Sequence, residues 1–113
     1  MTFSLTKYLV DKEHDDTYYQ PGFMRMIESC LGQLRTQDVR PLQVSSMLAY
    51  KYEGDFYGLL LELNVSYNYL WIALRVNGMV NPSDYTVDVC PQPVMPSEAL
   101  ISTLYRYYTT TTK

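Results

Sequence analysis

The middle of the chain carries two apolar blocks separated only by the polar turn "NVS" at residues 64–66. In each block the apolar residues recur at intervals of three and four, which is the period of one helix face. They are Phe56, Leu59, Leu60 and Leu63 in the first block and Tyr67, Leu70, Trp71 and Leu74 in the second. Asp55 and Ser66 stand where N-caps are needed, and Asn64 and Asn77-Gly78 end the blocks. The pattern therefore predicts two short helices joined by a tight turn.

The pattern of apolar and polar positions, together with prolines and caps, predicts four further elements outside these blocks. Pro21 begins a helix over residues 21–36, because proline costs no hydrogen bond in a first turn. The apolar residues at helical spacing in it are Phe23, Ile27, Cys30, Leu31 and Leu34. Alternating positions predict strands at Ser46–Glu53 and Thr86–Cys90. Ser97 caps a last helix, and the proline-rich residues 91–96 before it are extended but cannot form a central strand.

This order of elements predicts an α+β protein with a small strand–helix–helix–strand core. We expect an N-terminal arm at residues 1–20, a helix and connector at 21–48, the core at 49–96, and a C-terminal helix and tail at 97–113. A core of this size buries little apolar surface alone. The flanking helices must therefore pack on the core or on a partner.

Composition limits the classes of function. The net charge is −3, with 19% charged and 47% hydrophobic residues, as in an ordinary globular protein. An acidic chain with scattered Lys and Arg lacks the basic footprint of a nucleic-acid-binding protein. Its apolar runs are shorter than the roughly 20 residues of a membrane-spanning helix. We therefore expect that the protein neither binds nucleic acid nor spans a membrane.

The two cysteines and the first residues bear on the compartment. Cys30 and Cys90 could pair, but the N-terminal residues show no apolar segment of a secretion signal. Two reduced thiols in a protein made in the cytosol are therefore expected.

The chain contains no recognisable catalytic motif, so we expect no enzyme activity, no cofactor and no bound metal. His14 lies among acidic residues, but a single histidine in a polar run is typical of a solvated segment. Cys30 has no second histidine that could activate it. The 12 Tyr residues instead favour a surface used for contacts, since tyrosine pairs a broad apolar ring with one polar end.

The central residues resemble the LysM module. In that family a Gly-Asp turn precedes the first helix, a Val-Ser turn joins the helices, and an Asn, an Asn-Pro and a strand follow. The corresponding positions here are Gly54, Asp55, Val65, Ser66, Leu70, Asn77, Asn81 and Pro82, followed by Val89–Pro91 or Val94–Pro96. The match covers about 45 residues.

A narrower resemblance is to the baseplate wedge subunits of contractile-tailed bacteriophages, which contain a LysM-like core. The segments "YEGD" at 52–55, "YLWIALRVN" at 69–77 and "NPSDY" at 81–85 are similar to that family. Trp71 in mid-helix, followed six residues later by Asn77, is the most distinctive part. The Gly-Asp turn precedes the first helix here, whereas it often lies between the helices in the phage family.

This resemblance implies a structural virion protein in the tail baseplate, assembled in the host cytoplasm. Its partners would be a sheath-initiator-like protein and larger wedge subunits, in several copies. Structural roles in the core and turns then belong to Gly54, Asp55, Leu70, Trp71, Leu74, Asn77, Asn81 and Pro82. The predicted interface residues are tyrosines of the arm, the core and the last helix: Tyr8, Tyr18, Tyr19, Tyr57, Tyr69, Tyr105, Tyr107 and Tyr108.

The broader LysM resemblance leaves a second hypothesis open, a module that binds peptidoglycan or chitin. In that case the loops after the first strand and before the second would hold the sugar. The residues at the positions that match the sugar-binding loops of LysM are Asp55, Phe56, Tyr57, Val80, Asn81 and Pro82. An aromatic platform with a few fixed polar groups is what a shallow sugar groove requires.

Overall fold

A computed structural model describes residues 16–111 of the chain. Its helices are α1 (Pro21–Ser29), α2 (Leu31–Thr36), α3 (Ser46–Lys51), α4 (Phe56–Glu62), α5 (Leu70–Val76) and α6 (Glu98–Thr111). Short 3-10 helices lie at Asp16–Tyr19, Tyr67–Tyr69 and Pro82–Asp84. Two strands, β1 (Arg40–Pro41) and β2 (Val94–Met95), pair antiparallel, with Arg40 opposite Met95 and Pro41 opposite Val94.

The predicted α+β class is confirmed: the described chain is 61% helical with a two-stranded sheet. The strand positions are corrected. Ser46–Glu53, predicted as the first strand, contains helix α3 instead. The Ser45 hydroxyl accepts a hydrogen bond from the Leu48 backbone N–H at 3.1 Å. Such an N-cap, followed by residues with good helix propensity, outweighs a short alternation of apolar and polar positions.

The second predicted strand, Thr86–Cys90, is also wrong, because this segment forms a turn. The Thr86 carbonyl accepts from the Cys90 N–H at 3.0 Å, and the Thr86 hydroxyl accepts from the Val89 N–H at 3.1 Å. These local bonds replace the ladder that a strand would need. The strand forms later, at Val94–Met95, within the segment that the prolines predicted to be extended.

The predicted helix over residues 21–36 is present but divided. Cys30 leaves the helical conformation, with φ −104° and ψ 10°, between α1 and α2. One apolar stripe nevertheless runs through both pieces, through the buried residues Phe23, Ile27, Leu31 and Leu34. The burial pattern was therefore predicted correctly, and only the continuity of the backbone was not.

The turn chemistry around α4 and α5 is confirmed. The Asp55 carboxylate accepts from the Gly58 N–H at 3.0 Å, and the Ser66 hydroxyl accepts from the Asn68 N–H at 3.3 Å. Gly78 lies in the left-handed region with φ 85°, as predicted for the residue that ends α5. Ser97 caps α6 by accepting from the Leu100 N–H at 3.1 Å.

Helix α5 is buried on nearly all sides and divides the interior into two clusters. Leu70, Ala73 and Leu74 pack in the first cluster, with α4 and the residues up to Met95. Trp71, Ile72 and Val76 pack in the second, with α1, α2 and α6. A helix that is apolar all round belongs inside a protein. The flanking helices therefore pack on the predicted central unit through α5.

Two helical glycines offer a matched prediction about stability. Gly32, in α2, has open space around the position of a Cβ, so Gly32→Ala is expected to raise the free energy of unfolding by about 0.5–1 kcal/mol. At Gly58, in α4, a Cβ would contact the Asp55 carboxylate and lie 3.0 Å from the Tyr52 ring. Gly58→Ala should displace the N-cap and lower stability by about 1 kcal/mol. Urea denaturation of both variants tests this, and equal stabilisation by both would contradict it.

Candidate functional site

The predicted interface tyrosines lie largely inside the second cluster, around Tyr18. The Tyr18 ring stacks on Tyr105 at a centroid distance of 4.6 Å and meets Phe23 edge-on at 5.4 Å. The Trp71 indole N–H donates to the Tyr18 carbonyl at 3.0 Å. The end of the predicted arm is thus held against α5 and α6 by rings and by one buried hydrogen bond.

The predicted interface residues differ in exposure. Tyr18 is buried, whereas five others are partly buried in contact with the second cluster: Tyr19, Tyr57, Tyr69, Tyr105 and Tyr108. Tyr107 is exposed on α6. Tyr8 lies outside the described residues. Tyr105 stacks on Tyr18, and the Tyr108 hydroxyl donates to the Gln20 side-chain oxygen at 3.1 Å, so these contacts join residues 17–20 to the last helix. The role of the tyrosines toward partners stays a prediction.

Tyr57 lies beside Tyr19, at the boundary between the two clusters. Burial of its hydroxyl, together with the neighbouring Tyr19 hydroxyl, raises the pKa of Tyr57 from 10.0 to about 12. Burial also raises the pKa of Tyr19, whose hydroxyl donates to the Tyr67 carbonyl. Both hydroxyls therefore stay protonated at neutral pH.

This shift predicts a loss of stability in alkali. The folded protein binds the Tyr57 proton more tightly than the unfolded chain does. The resulting contribution is complete below pH 10 and is lost as the pH rises toward about 12. Tyr57→Phe should therefore lose less stability than the unchanged protein over this range. Urea denaturation at several pH values measures the difference, and parallel curves for the two proteins would contradict the assignment.

The two loops of the glycan hypothesis are adjacent in the structure. The Gly54 N–H donates to the Tyr85 carbonyl at 2.8 Å, and the Asn81 N–H donates to the Asp84 carboxylate at 3.0 Å. Phe56, however, is fully buried, with its ring 5.2 Å from that of Tyr85.

Of the other residues carried over for sugar binding, Asp55 caps α4, Val80 and Asn81 are exposed, and Pro82 is partly buried. Glycan binding stays a prediction, with Tyr57 as its most accessible ring.

Asn77 joins α5 to β2. Its amide N–H₂ donates to the Ala73 carbonyl at 2.7 Å and to the Val94 carbonyl at 2.9 Å. Its amide oxygen accepts from the Val94 N–H at 2.8 Å. Asn77 itself has φ −83°, so it acts as a capping residue, and the left-handed position falls on Gly78. The side chain of Asn77 thus links the end of α5 to β2.

The end of α5 is also tied to α1 and α2 by two arginines. The Arg75 guanidinium pairs with the Glu28 carboxylate at 2.7 Å, and this hydrogen bond is the main reason that the pKa of Arg75 is raised. Arg35 donates to the Arg75 carbonyl at 2.8 Å. Cationic side chains at the last carbonyls of a helix are favourable. These contacts stabilise the junction between the two clusters.

Sequence reasoning missed the surface that the structure exposes most strongly, the outer side of α3. The side chains of Met47 and Tyr50 are 83% and 79% exposed, and Lys51 is exposed beside them. Ala49 is buried and Leu48 is partly buried on the opposite side. In a strand Met47 and Tyr50 would face opposite sides, whereas the helix places them one turn apart on a single side. Recognising Ser45 as an N-cap would have revealed this.

The side of α3 that carries Ala49 faces the turn at residues 86–90. A hollow of about 110 Å³ joins them, lined by Val44, Ser45, Ser46, Ala49, Tyr85, Val87, Pro91 and Pro93. Val87 is 47% exposed at its rim. We define the α3 face as Ser46, Met47, Tyr50 and Lys51. An exposed patch that joins a methionine and a tyrosine is typical of a protein contact.

Residues 16–111 offer little support for a metal site, a disulfide or a membrane-spanning helix. No group of three metal-binding side chains occurs there, and both described cysteines are free thiols. No helix in the described range is both long and apolar enough to cross a membrane. Comparison of the chain with protein families, with curated proteins and with solved structures finds no match.

Proposed function

We propose that this protein is a structural, non-enzymatic adaptor that binds other proteins through its α3 face, as a wedge component of a contractile phage tail baseplate. The observation that carries the proposal is the exposure of Met47 and Tyr50 on one side of α3. Tyrosine and methionine are both enriched in the centres of protein interfaces. Covering each side chain gains about 1.5–3 kcal/mol of hydrophobic free energy.

The way α3 is mounted favours a rigid contact. Its buried side, through Ala49 and Leu48, packs on the first cluster, and the Ser45 cap holds its first turn. Because the backbone of α3 is already held, a partner that covers it has to order only the exposed side chains. The cost in backbone entropy is therefore small.

The finer part of the proposal, a baseplate wedge, depends on the sequence resemblance. Support comes from the turns at Gly54-Asp55 and Asn81-Pro82, which flank the α4–α5 pair and lie close together. Trp71 and Asn77, the distinctive residues of the resemblance, both make contacts between elements. The LysM-like core would differ from the usual one in having α3 where the first strand is expected. Its partners would be a sheath-initiator-like protein and larger wedge subunits.

Purified tail fractions from the phage or cell that makes the protein test this proposal. Mass spectrometry of baseplate complexes should find the chain in several copies, together with sheath and wedge proteins. Tyr50→Ser should reduce its incorporation. Tyr107→Ser, which changes a tyrosine that is 62% exposed on α6, tests the contact predicted for the last helix. Absence of the chain from particles and tail fractions would refute the role, and loss with Tyr107→Ser alone would move the contact to α6.

A further inference from the structure

The pair Asn77-Gly78 at the end of α5 joins a structural side chain to a reactive sequence. In an Asn-Gly pair the glycine nitrogen can attack the side-chain amide carbon of the asparagine. A carbon–nitrogen bond closes a succinimide ring, and ammonia leaves. Water then opens the ring to aspartate or isoaspartate, so the net change is hydrolysis of the amide. Glycine favours the attack because it has no Cβ to obstruct the ring closure.

In the folded protein hydrogen bonds occupy both reacting groups. The Asn77 amide donates to the Ala73 and Val94 carbonyls and accepts from the Val94 N–H. The nucleophile is occupied as well, because the Gly78 N–H donates to the Arg75 carbonyl at 3.0 Å. Attack requires the Asn77 side chain to turn toward Gly78 and the Gly78 nitrogen to lose its proton. All four hydrogen bonds must therefore break before the ring can close.

We propose that Asn77 is a modification site that is protected in the folded protein and deamidates when the end of α5 separates from β2. The rate is set by the fraction of molecules in which this junction is open. Gly78 is exposed and Asn77 is only partly buried, so water reaches the pair in the folded state. The protection therefore comes from the hydrogen bonds. This site is independent of the proposed adaptor role.

The product cannot re-form the junction. An aspartate at position 77 places a carboxylate oxygen where the amide N–H₂ now donates to the Ala73 and Val94 carbonyls. Isoaspartate also inserts a methylene into the backbone just before Gly78, where the chain turns with φ 85°. Both products disfavour the folded state. A molecule that stays open long enough is therefore prevented from folding back, and its unfolding becomes irreversible through this one pair.

The three other asparagines are controls within the same chain, because each precedes a residue that hinders or forbids ring closure. They are Asn64 before Val65, Asn68 before Tyr69 and Asn81 before Pro82. The side chains of valine and tyrosine obstruct the attack, and proline has no N–H to become the nucleophile. Asn64 is exposed in the folded protein. A reaction governed by exposure alone would therefore modify Asn64 before Asn77.

Incubation of the purified full chain at mildly alkaline pH, with and without denaturing urea, tests the inference. Peptide mass spectrometry measures the conversion of amide to carboxylate at each asparagine. In urea, Asn77 should react faster than the other three. Without urea its conversion should be at least about a hundred-fold slower, since the closed junction predominates. In urea, Gly78→Ala should slow it at least about ten-fold, because a Cβ then obstructs the ring closure.

Two variants test the junction itself in the absence of urea. Met95→Ala removes a buried side chain from β2 without changing the Asn-Gly pair, and it should raise the rate at Asn77. Gln33→Ala, on the exposed side of α2, is the matched control and should not. Conversion of Asn77 at equal rates with and without urea, or conversion of Asn64 first in the folded protein, would overturn the proposal.

Refolding from urea tests the consequence of the modification. The helical signal recovered on dilution should fall in proportion to the conversion of Asn77. Chains kept in urea at mildly acidic pH for the same time are the control, because the Gly78 nitrogen keeps its proton there, and they should refold. Full refolding of the converted chain would contradict the proposed irreversibility. Neither result bears on the exposed side of α3, so this proposal and the adaptor role fail separately.

Discussion

Replacing Trp71 with alanine should lower the free energy of unfolding by about 3–5 kcal/mol, because a large buried side chain is removed. Trp71 is only 6% exposed and meets the Phe23 ring edge-on at 6.4 Å. Truncation leaves a cavity in the second cluster. It also removes the hydrogen bond that the indole N–H donates to the Tyr18 carbonyl. Urea denaturation followed by far-ultraviolet circular dichroism measures the loss, since no tryptophan fluorescence remains.

Trp71→Phe separates packing from hydrogen bonding. The smaller ring keeps most of the apolar contacts but cannot donate to the Tyr18 carbonyl, so an intermediate loss of about 1–3 kcal/mol is expected. Hydrogen exchange should then rise first in residues 17–20. Tyr107→Ala, on the exposed side of α6, should change stability by less than about 0.5 kcal/mol. A loss under about 1 kcal/mol in Trp71→Ala would mean that the second cluster does not depend on this ring.

Replacing Asn77 with alanine should cost about 2–4 kcal/mol, because three hydrogen bonds at 2.7–2.9 Å disappear together. The change leaves the Val94 N–H and carbonyl without their side-chain partner. The sheet is only two residues long on each strand, so we expect β2 to separate from α5. Urea denaturation gives the magnitude, and hydrogen exchange of the Val94 amide reports where the structure opens.

Two variants serve as controls for the effect at Asn77. Asn77→Asp preserves the size of the side chain and the acceptor for the Val94 N–H, but it places a carboxylate oxygen against the Ala73 and Val94 carbonyls. It should be at least as damaging as alanine at neutral pH. Gln33→Ala, on the exposed side of α2, should change stability by less than about 0.5 kcal/mol. Equal stability of Asn77→Asp and the unchanged protein would contradict the proposed anchoring role.

These two residues stabilise parts of the fold other than α3. Trp71 joins α5 to the N-terminal and C-terminal helices, and Asn77 joins α5 to β2. Helix α3 packs on the first cluster alone, through Ala49 and Leu48. Substitutions on its outer side should therefore change binding while leaving folding intact. That separation makes Tyr50 and Lys51 suitable positions for testing contacts.

Local chemistry made α4 and α5 predictable. Their apolar positions follow a helical period, and Asp55, Ser66 and Gly78 mark their ends by mechanisms that act within a few residues. The stripe through α1 and α2 was predictable for the same reason. Its interruption at Cys30 was not, because nothing in the neighbouring residues requires the helix to leave its path there.

The positions of the strands and of α3 depend on pairing between segments that are far apart in the sequence. Two alternating segments were predicted to be strands, but a strand exists only where a partner supplies the other half of the ladder. The partner of Arg40–Pro41 is Val94–Met95, more than fifty residues later, and Asn77 covers the other side of Val94. Without such a partner, Ser46–Lys51 follows its helix propensity and Thr86–Cys90 forms a local turn.

By itself, the sequence determined the α4–α5 pair, the caps and the apolar stripes, because each depends on neighbours within one or two turns. Only the tertiary structure decided where the sheet forms, that α5 separates two clusters, and that Tyr18 is buried while Met47 and Tyr50 are exposed. The reason is that burial belongs to pairs of surfaces. An apolar side chain is covered only if another element reaches it, and that depends on how the whole chain packs.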